Sequence, residues 1–292
     1  MKSSAPVATN AALTDARLKI VHLKIAGAVI AYGALYSGAL TGLAKDWISD
    51  PDAGHALLLA PIAMVLAWRS GIRPESRAQP ILGAVSLLGA VLLTCVAQLA
   101  AEVFTLRVSA LAALLALLVC TFGWGQVRHW WLPCALLLLC IPLPDLVLSA
   151  AALPLQLRAS AIGAALLEWR DVPVLLDGNI IHLPGHPLFV TEACSGLRSL
   201  SALAALGLLM GGMMLRHPAA RVLVLVLAIP LAVLLNGLRV FLTGYLVFFI
   251  RPEFGTGFMH LTEGWLIFLV AFGILASLTT LIARAERIRW LH

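Results

Sequence analysis

Uncharged apolar runs of about 20 residues recur along this chain and limit what it can fold into. Hydrophobic residues make up 61% of the 292 positions and charged residues only 12%, with a mean hydropathy of +0.99. A soluble core cannot bury so large an apolar fraction, whereas each run is long enough to cross a bilayer as a helix. The runs are continuous, unlike the alternating pattern of a membrane barrel. The sequence therefore predicts an all-α, polytopic membrane protein.

Eight transmembrane helices are predicted. They lie at about 25–43, 54–68, 80–100, 104–124, 130–148, 195–214, 220–249 and 262–283. The expected segments are an N-terminal tail (1–24), five spans (25–148), an outer segment (149–194), three further spans (195–283) and a C-terminal tail (284–292). The seventh span is treated as one helix, although a proline in a helix interior, here Pro230, favours a kink.

Charge asymmetry orients these spans, because basic residues favour the cytoplasmic side of a membrane. With the N-terminus inside, the inner segments hold most of the 20 lysines and arginines. The same segments hold only three of the 14 acidic residues, Asp15, Glu75 and Glu286. Both termini are therefore predicted to be cytoplasmic, and 149–194 to lie outside. The net charge of +6 then reflects topology and does not indicate nucleic-acid binding.

The outer segment contains two predicted elements. Residues 149–170 are apolar but interrupted by charges, which favours an amphipathic helix lying in the outer interface. Asp177-Gly178 stands between two β-prone runs and predicts a hairpin that leads into Cys194. Such a hairpin offers an edge for an extended peptide, which proline at Ile180 or Ile181 would test.

Cys194 differs from the other four cysteines, which lie inside apolar spans and are interpreted as small core residues. Glu192 and Arg198 are close to it in sequence, and it opens a predicted helix, whose N-terminus stabilises a thiolate. Cys194 is therefore a candidate nucleophile. No Cys/His spacing typical of a metal site is present, and neither a metal nor a cofactor is expected.

Arg239 is the second candidate, because a cation inside a membrane span is costly and usually functional. Asn236 is three residues earlier on the same helical face and is expected to support the guanidinium. The alternative is a purely structural ion pair of Arg239 with Glu192 or Glu263.

His260 is the third candidate. It lies at the outer start of the last predicted span, one turn before Glu263, and histidine is suited to proton transfer near neutral pH. The predicted topology places Cys194, Arg239 and His260 at one depth on one face. A thiolate nucleophile, a cation for the oxyanion and a proton donor for the leaving amine together suit acyl transfer. Glu263 either orients His260 or faces a polar path.

These motifs resemble the exosortase/archaeosortase family of multi-span transpeptidases, in its bacterial exosortase branch. The resemblance covers about residues 130–270 and is carried by "EACSGLRSL" (192–200), "NGLR" (236–239) and "HLTEGW" (260–265), with "IPLP" (141–144) and "GNIIHLPGHPLFV" (178–190). It implies a catalytic set of Cys194, Arg239 and His260, with Arg198 in a supporting part.

The resemblance also implies the substrate and the location. The substrate would be a secreted protein whose C-terminal sorting signal has a Pro-Glu-Pro-like motif, a transmembrane helix and a basic tail. Cleavage would occur outside the bacterial inner membrane, with transfer to an unknown acceptor. Family members are often associated with exopolysaccharide production.

Two other classes stay open. In a transporter, Arg239 and Glu263 would line a polar path and Cys194 would be dispensable. In a scaffold of a polysaccharide or secretion system, none of these residues would matter individually. Hydrolysis is a further possibility within the enzyme class, because water can replace the acceptor.

Overall fold

The computed structural model describes residues 6–50, 52–184, 186–190, 197–251 and 257–289; of these, the side chains at 6–25, 186, 197, 257–261 and 288–289 are left out. In this part of the chain the elements are ten helices and three strands. The helices are α1 (Pro6–Ser49), α2 (Ala56–Ser70), α3 (Pro80–Leu99), α4 (Val103–Phe122), α5 (Trp124–His129), α6 (Trp131–Leu139), α7 (Asp145–Trp169), α8 (Leu197–Met214), α9 (Pro218–Phe249) and α10 (Gly257–Arg289). The strands are β1 (Leu175–Asp177), β2 (Ile180–Leu183) and β3 (His186–Phe189).

Six described helices are long and apolar enough to cross a membrane, so the predicted polytopic helical class is confirmed. They are Ala26–Ser49, Pro80–Leu99, Val103–Phe122, Asp145–Trp169, Pro218–Phe249 and Thr262–Arg287. The count of eight spans is not confirmed. The apolar helices at the predicted second and sixth spans, Ala56–Ser70 and Arg198–Met214, are shorter than the other six. Helix α9 continues through Pro230, as expected.

The predicted span 130–148 is not one helix. Helix α6 ends at Leu139, and Pro142 and Pro144 then interrupt the chain before α7 begins. Proline lacks the backbone N–H and clashes with the preceding turn; a single proline is tolerated within α9, but these two in close succession accompany a break in the helix. The stretch predicted as an interfacial helix, 149–170, instead forms most of α7, whose 25 residues make it one of the helices of spanning length.

The chain after α7 forms a three-stranded antiparallel sheet of order β1-β2-β3. The predicted hairpin is β1-β2, in which Asp177 pairs with Ile180 across a two-residue turn. Gly178 takes a φ of +60° in this turn, a conformation that glycine adopts without strain. Strand β3 adds a second hairpin. Ile181 and Leu183 of β2 are buried against the helices next to the sheet.

The chain divides into two compact units. The first comprises residues 1–46 and 70–131, in which α3 and α4 pack side by side. Polar contacts join its helices: the Tyr36 hydroxyl lies 2.8 Å from Thr94 Oγ1, which lies 3.0 Å from Ser109 Oγ. Arg107 Nη2 donates to Asp46 Oδ2 at 2.6 Å, so the charge of this arginine is balanced within the unit.

The second unit comprises residues 47–69 and 132–292 and contains every candidate site residue. Helices α7 and α9 approach each other closely at glycines. A Cβ atom at Gly163 would lie 2.5 Å from Val240 Cγ1, and one at Gly237 would lie 2.5 Å from Ile162 Cγ2. Small residues permit such contact between membrane helices. Helix α9 packs also against α8 and α10, so the segment carrying Asn236 and Arg239 is held from three sides.

Candidate active site

Arg239 lies in α9, and its guanidinium packs on the backbone of α10. A Cβ atom at Gly264 would lie 3.0 Å from Arg239 Nη2 and 3.1 Å from Cζ. The side chain is partly buried, and its Nε atom is enclosed. Glycine at position 264 therefore creates the space that the planar guanidinium occupies, and α9 and α10 together fix the position of the cation.

Buried polar side chains surround this cation. Thr243 Oγ1 donates a hydrogen bond of 2.8 Å to Glu263 Oε2, and both residues are buried. Asn236, one turn before Arg239 on α9, is buried as well. The charges of Arg239 and Glu263 attract each other, and this attraction is strong where water is excluded. Opposite charges thus lie on α9 and α10 within reach of each other's field, and a direct Arg239–Glu263 ion pair stays a prediction.

A small cavity lies beside Arg239 where α8, α9 and α10 meet. Its volume of about 10 Å³ has room for about one water molecule. Its lining residues are Ser199, Leu203, Ala232, Leu235, Asn236, Arg239, Gly264, Ile267, Phe268 and Ala271. Polar groups line one part and apolar groups the rest, so the guanidinium stands at the boundary between a polar and an apolar environment.

The three predicted catalytic residues are not all described. Cys194 lies outside the described residues, as does Glu192. Strand β3 precedes Cys194, and α8 begins three residues after it, at Leu197. His260 belongs to the first turn of α10, one helical turn before Gly264, and residues four apart share a helix face. The backbone therefore places position 260 on the same face of α10 as Gly264, the face that contacts Arg239 of α9.

Arg198, predicted to have a supporting part, forms an ion pair that was not predicted. Its Nε donates to Asp52 Oδ1 at 2.8 Å, and both side chains are about half exposed. The α1–α2 loop holds Asp52 in place. The Asp52 N–H donates to Asp50 Oδ1 at 2.8 Å, and the Asp52 carbonyl lies 3.0 Å from His55 Nδ1. The pair therefore ties the first turn of α8 to a structured loop.

A side-chain clamp fixes the end of β3. Val190 N–H donates to the Asn179 carbonyl at 3.0 Å, and Asn179 Nδ2 donates back to the Val190 carbonyl at 3.1 Å. Asn179 Nδ2 also lies 3.4 Å from Gln156 Oε1 on α7. Val190 is fully buried and four residues before Cys194. The chain thus leaves the sheet toward Cys194 from a fixed point.

Comparison with known proteins identifies the family. The family model described as transmembrane exosortase matches residues 47–277. The chain belongs to the exosortase family. No curated protein and no solved structure matches it significantly. The resemblance expected from sequence is confirmed, and the match begins at Trp47, well before the expected 130. Family membership and the six apolar helices make this exosortase a multi-pass membrane protein.

The sequence did not reveal three residues that contact the candidate side chains. Thr243 and Gly264 lie in predicted spans, and only the spacing of Gly264 one turn after His260 was a usable signal. Asp52 is 146 positions from Arg198 and carries no local signal of its role. The match to exosortases includes all three positions.

We expect Gly264→Ala to slow the exosortase without unfolding it. The new methyl group would displace the guanidinium of Arg239 by a few tenths of an ångström, while alanine strengthens the helix. Processing of a substrate should fall about three- to tenfold, at unchanged or higher thermal stability. Gly273→Ala in the same helix is the matched control, because a Cβ there meets nothing within 4 Å. Equal rates for both variants would show that the contact with Arg239 does not matter.

We expect the Asp52–Arg198 ion pair to make a modest contribution to the rate of processing, through the attraction of its opposite charges. Asp52→Arg and Arg198→Asp each place like charges together and should slow processing about two- to fivefold, because exposed pairs are weak. The double exchange restores the attraction and should recover most of the rate, measured by pulse-chase immunoblotting. Additive losses in the double variant would rule out a role for the pair.

Proposed function

We propose that this exosortase is a membrane-embedded cysteine peptidase or transpeptidase that cleaves the C-terminal sorting signal of secreted proteins. One observation carries the proposal: the guanidinium of Arg239 is held against α10 at Gly264, one turn from position 260. The acyl-transfer set deduced from the sequence needs a fixed cation at this place. Balancing by Glu263 explains how the cation is retained within the helices.

In the proposed reaction the Cys194 thiolate attacks the carbonyl carbon of the scissile peptide bond. The carbonyl π electrons move to oxygen, and Arg239 stabilises the resulting oxyanion. His260, as the imidazolium, gives its proton to the leaving nitrogen while the C–N bond breaks. This step releases an amine and leaves a thioester on Cys194. An acceptor nucleophile or water then attacks the thioester carbonyl, and neutral His260 accepts its proton. The C–S bond breaks, which releases the acylated acceptor or the free acid and restores the Cys194 thiolate and the His260 imidazolium.

Two local features support Cys194 as the nucleophile. Helix α8 begins three residues later, and helix N-termini favour negative charge. Arg198 adds a positive charge in the first turn of that helix, partly offset by Asp52. Both effects stabilise the thiolate relative to the thiol.

The substrate would carry a Pro-Glu-Pro-like motif, a transmembrane helix and a basic tail. Cleavage would occur at the outer face of a bacterial inner membrane, with both termini of the enzyme in the cytoplasm. The helical tail would anchor the substrate beside the enzyme and present the motif at the depth of Cys194. The acceptor is a nucleophile outside the membrane, and water takes its place if the reaction is hydrolysis.

A transporter is the second candidate, favoured by the buried Glu263 carboxylate and by Arg239, both within the helices. It requires these charges to line a path, and it makes Cys194 dispensable. A scaffold would require neither the charged path nor Cys194. Both alternatives leave the sorting signal of a co-expressed protein intact, so cleavage of that signal distinguishes the peptidase from both.

Hydroxylamine trapping tests the proposal. Purified enzyme in detergent is mixed with a synthetic sorting-signal peptide and neutral hydroxylamine, and the products are identified by mass spectrometry. A thioester intermediate would transfer the N-terminal fragment to hydroxylamine and yield a C-terminal hydroxamate. Intact peptide would contradict peptidase activity. Cleavage that gives only the carboxylate, at hydroxylamine concentrations that trap a model thioester, would contradict the thioacyl route.

A further inference from the structure

The three-stranded sheet has an edge strand that ends a few residues before the proposed nucleophile in the sequence. Because the strand order is β1-β2-β3, β2 is central and β3 is an edge. Ile181, one of the positions considered from sequence for a proline test, is in the central strand and buried. Proline there would disrupt the core of the sheet and would not probe an edge.

The register shows which backbone groups of β3 point away from β2. In antiparallel pairing, residues alternate between those bonded to the neighbouring strand and those facing outward. Val190 N–H bonds to Asn179, opposite it in register, so Leu188 and His186 also face β2. Pro187 and Phe189 therefore face outward. The absence of an N–H at Pro187 is consistent with this, because prolines in sheets occur where the N–H is not needed.

The outward edge of β3 is short and specific. It offers the N–H and C=O of Phe189 and the C=O of Pro187, which are one donor and two acceptors. Phe189 is 57% exposed, and among the described residues its outward N–H and C=O make no hydrogen bond. An exposed strand edge is a template for pairing with another extended chain.

The edge strand β3 is anchored at its end by Val190, which stands four residues before Cys194 in the sequence. Asn179 clamps Val190, and Gln156 connects this clamp to α7. The four residues from Val190 to Cys194 span at most about 13 Å when extended. A peptide held on β3 is thus held within a few residues of the proposed nucleophile.

We infer that the sorting signal binds as a fourth strand on the outer edge of β3, with its main hydrogen bonds at Phe189. The inference rests on the proposed function and specifies how that site takes its substrate. A Pro-Glu-Pro-like segment has one N–H between two prolines. When that residue lies opposite Phe189 in an antiparallel pair, it can exchange both hydrogen bonds, and the prolines fall where no N–H is required. Proline also favours the extended conformation before binding.

Phe189→Pro tests the edge, with Phe189→Ala as matched control. Both substitutions remove the aromatic ring. Proline also removes the outward N–H, and proline is already tolerated at the equivalent position 187. Alanine keeps the N–H. The donor to the substrate is lost in the proline variant alone. We expect its KM for a sorting-signal peptide to rise about 5- to 10-fold relative to Phe189→Ala, at similar kcat.

A substrate-side measurement covers the case in which Phe189→Pro fails to fold. Peptides in which an ester replaces one backbone amide at a time lose a single N–H each. Wild-type enzyme should lose about 5- to 10-fold in kcat/KM for the ester at the residue between the prolines. The ester directly after the second proline should also lose, because that N–H would meet the Pro187 carbonyl, and esters at other non-proline positions should lose little. A flat profile would overturn the inference.

The outcomes separate the two proposals. If wild-type enzyme cleaves and forms the hydroxamate while Phe189→Pro equals Phe189→Ala, the strand inference is wrong and the peptidase proposal stands. If the wild type does not cleave the peptide, the proposed function fails, and the strand inference fails with it.

Discussion

Replacing Cys194 with serine will reduce processing of a co-expressed sorting-signal protein by at least about 10³-fold. Loss of a catalytic nucleophile removes the covalent route, and the remaining site contributes only binding and oxyanion stabilisation. A serine hydroxyl is far less ionised than a thiol at neutral pH, and in the proposed resting site His260 is an imidazolium that cannot accept its proton. Substrate size on an immunoblot, at matched enzyme abundance, measures the effect.

Cys95→Ser is the matched control, because Cys95 is an exposed cysteine in α3 outside the second unit. It should process substrate at the wild-type rate. Normal processing by Cys194→Ser would exclude this thiol as the nucleophile and favour the transporter or scaffold.

Replacing Arg239 with alanine will reduce processing by about 10²- to 10³-fold, the usual effect of removing an oxyanion-stabilising group. The same change removes the positive charge that offsets the buried Glu263 carboxylate. Breaking such a pair costs about 3–5 kcal/mol, so the abundance of the variant should fall as well. The single variant therefore mixes a catalytic and a structural effect.

The double variant Arg239→Ala with Glu263→Gln separates these effects. It removes both charges, and glutamine retains an acceptor for the Thr243 hydroxyl. We expect abundance and thermal stability to recover while processing stays low. Glu263→Gln alone leaves Arg239 without its balancing charge and should lower abundance, but it should retain most processing per enzyme molecule. Restored processing in the double variant would show that Arg239 serves charge balance, and loss of function in Glu263→Gln at normal abundance would favour the transporter.

Much of this exosortase could be predicted from local sequence, because the relevant physics is local. Each apolar run must satisfy its backbone hydrogen bonds within its own helix, so α3, α4 and α9 were predicted nearly to their ends, whereas α10 extends beyond its predicted span on both sides. The turn at Gly178 follows from its conformational freedom. Arg239 was identified because a cation among apolar residues is costly wherever its partner lies.

Other features were decided only by tertiary structure. The break at Pro142 and Pro144 has a local cause that hydropathy alone does not register, but only the structure shows that the chain then forms a single helix of 25 residues, α7. The pairing of Arg198 with Asp52 joins residues 146 positions apart, which no local pattern encodes. At Gly264 the missing side chain matters only because Arg239 of another helix fills the space. Sequence determined which groups are costly to bury, whereas packing of α8, α9 and α10 decided what compensates them, because compensation depends on distances between segments.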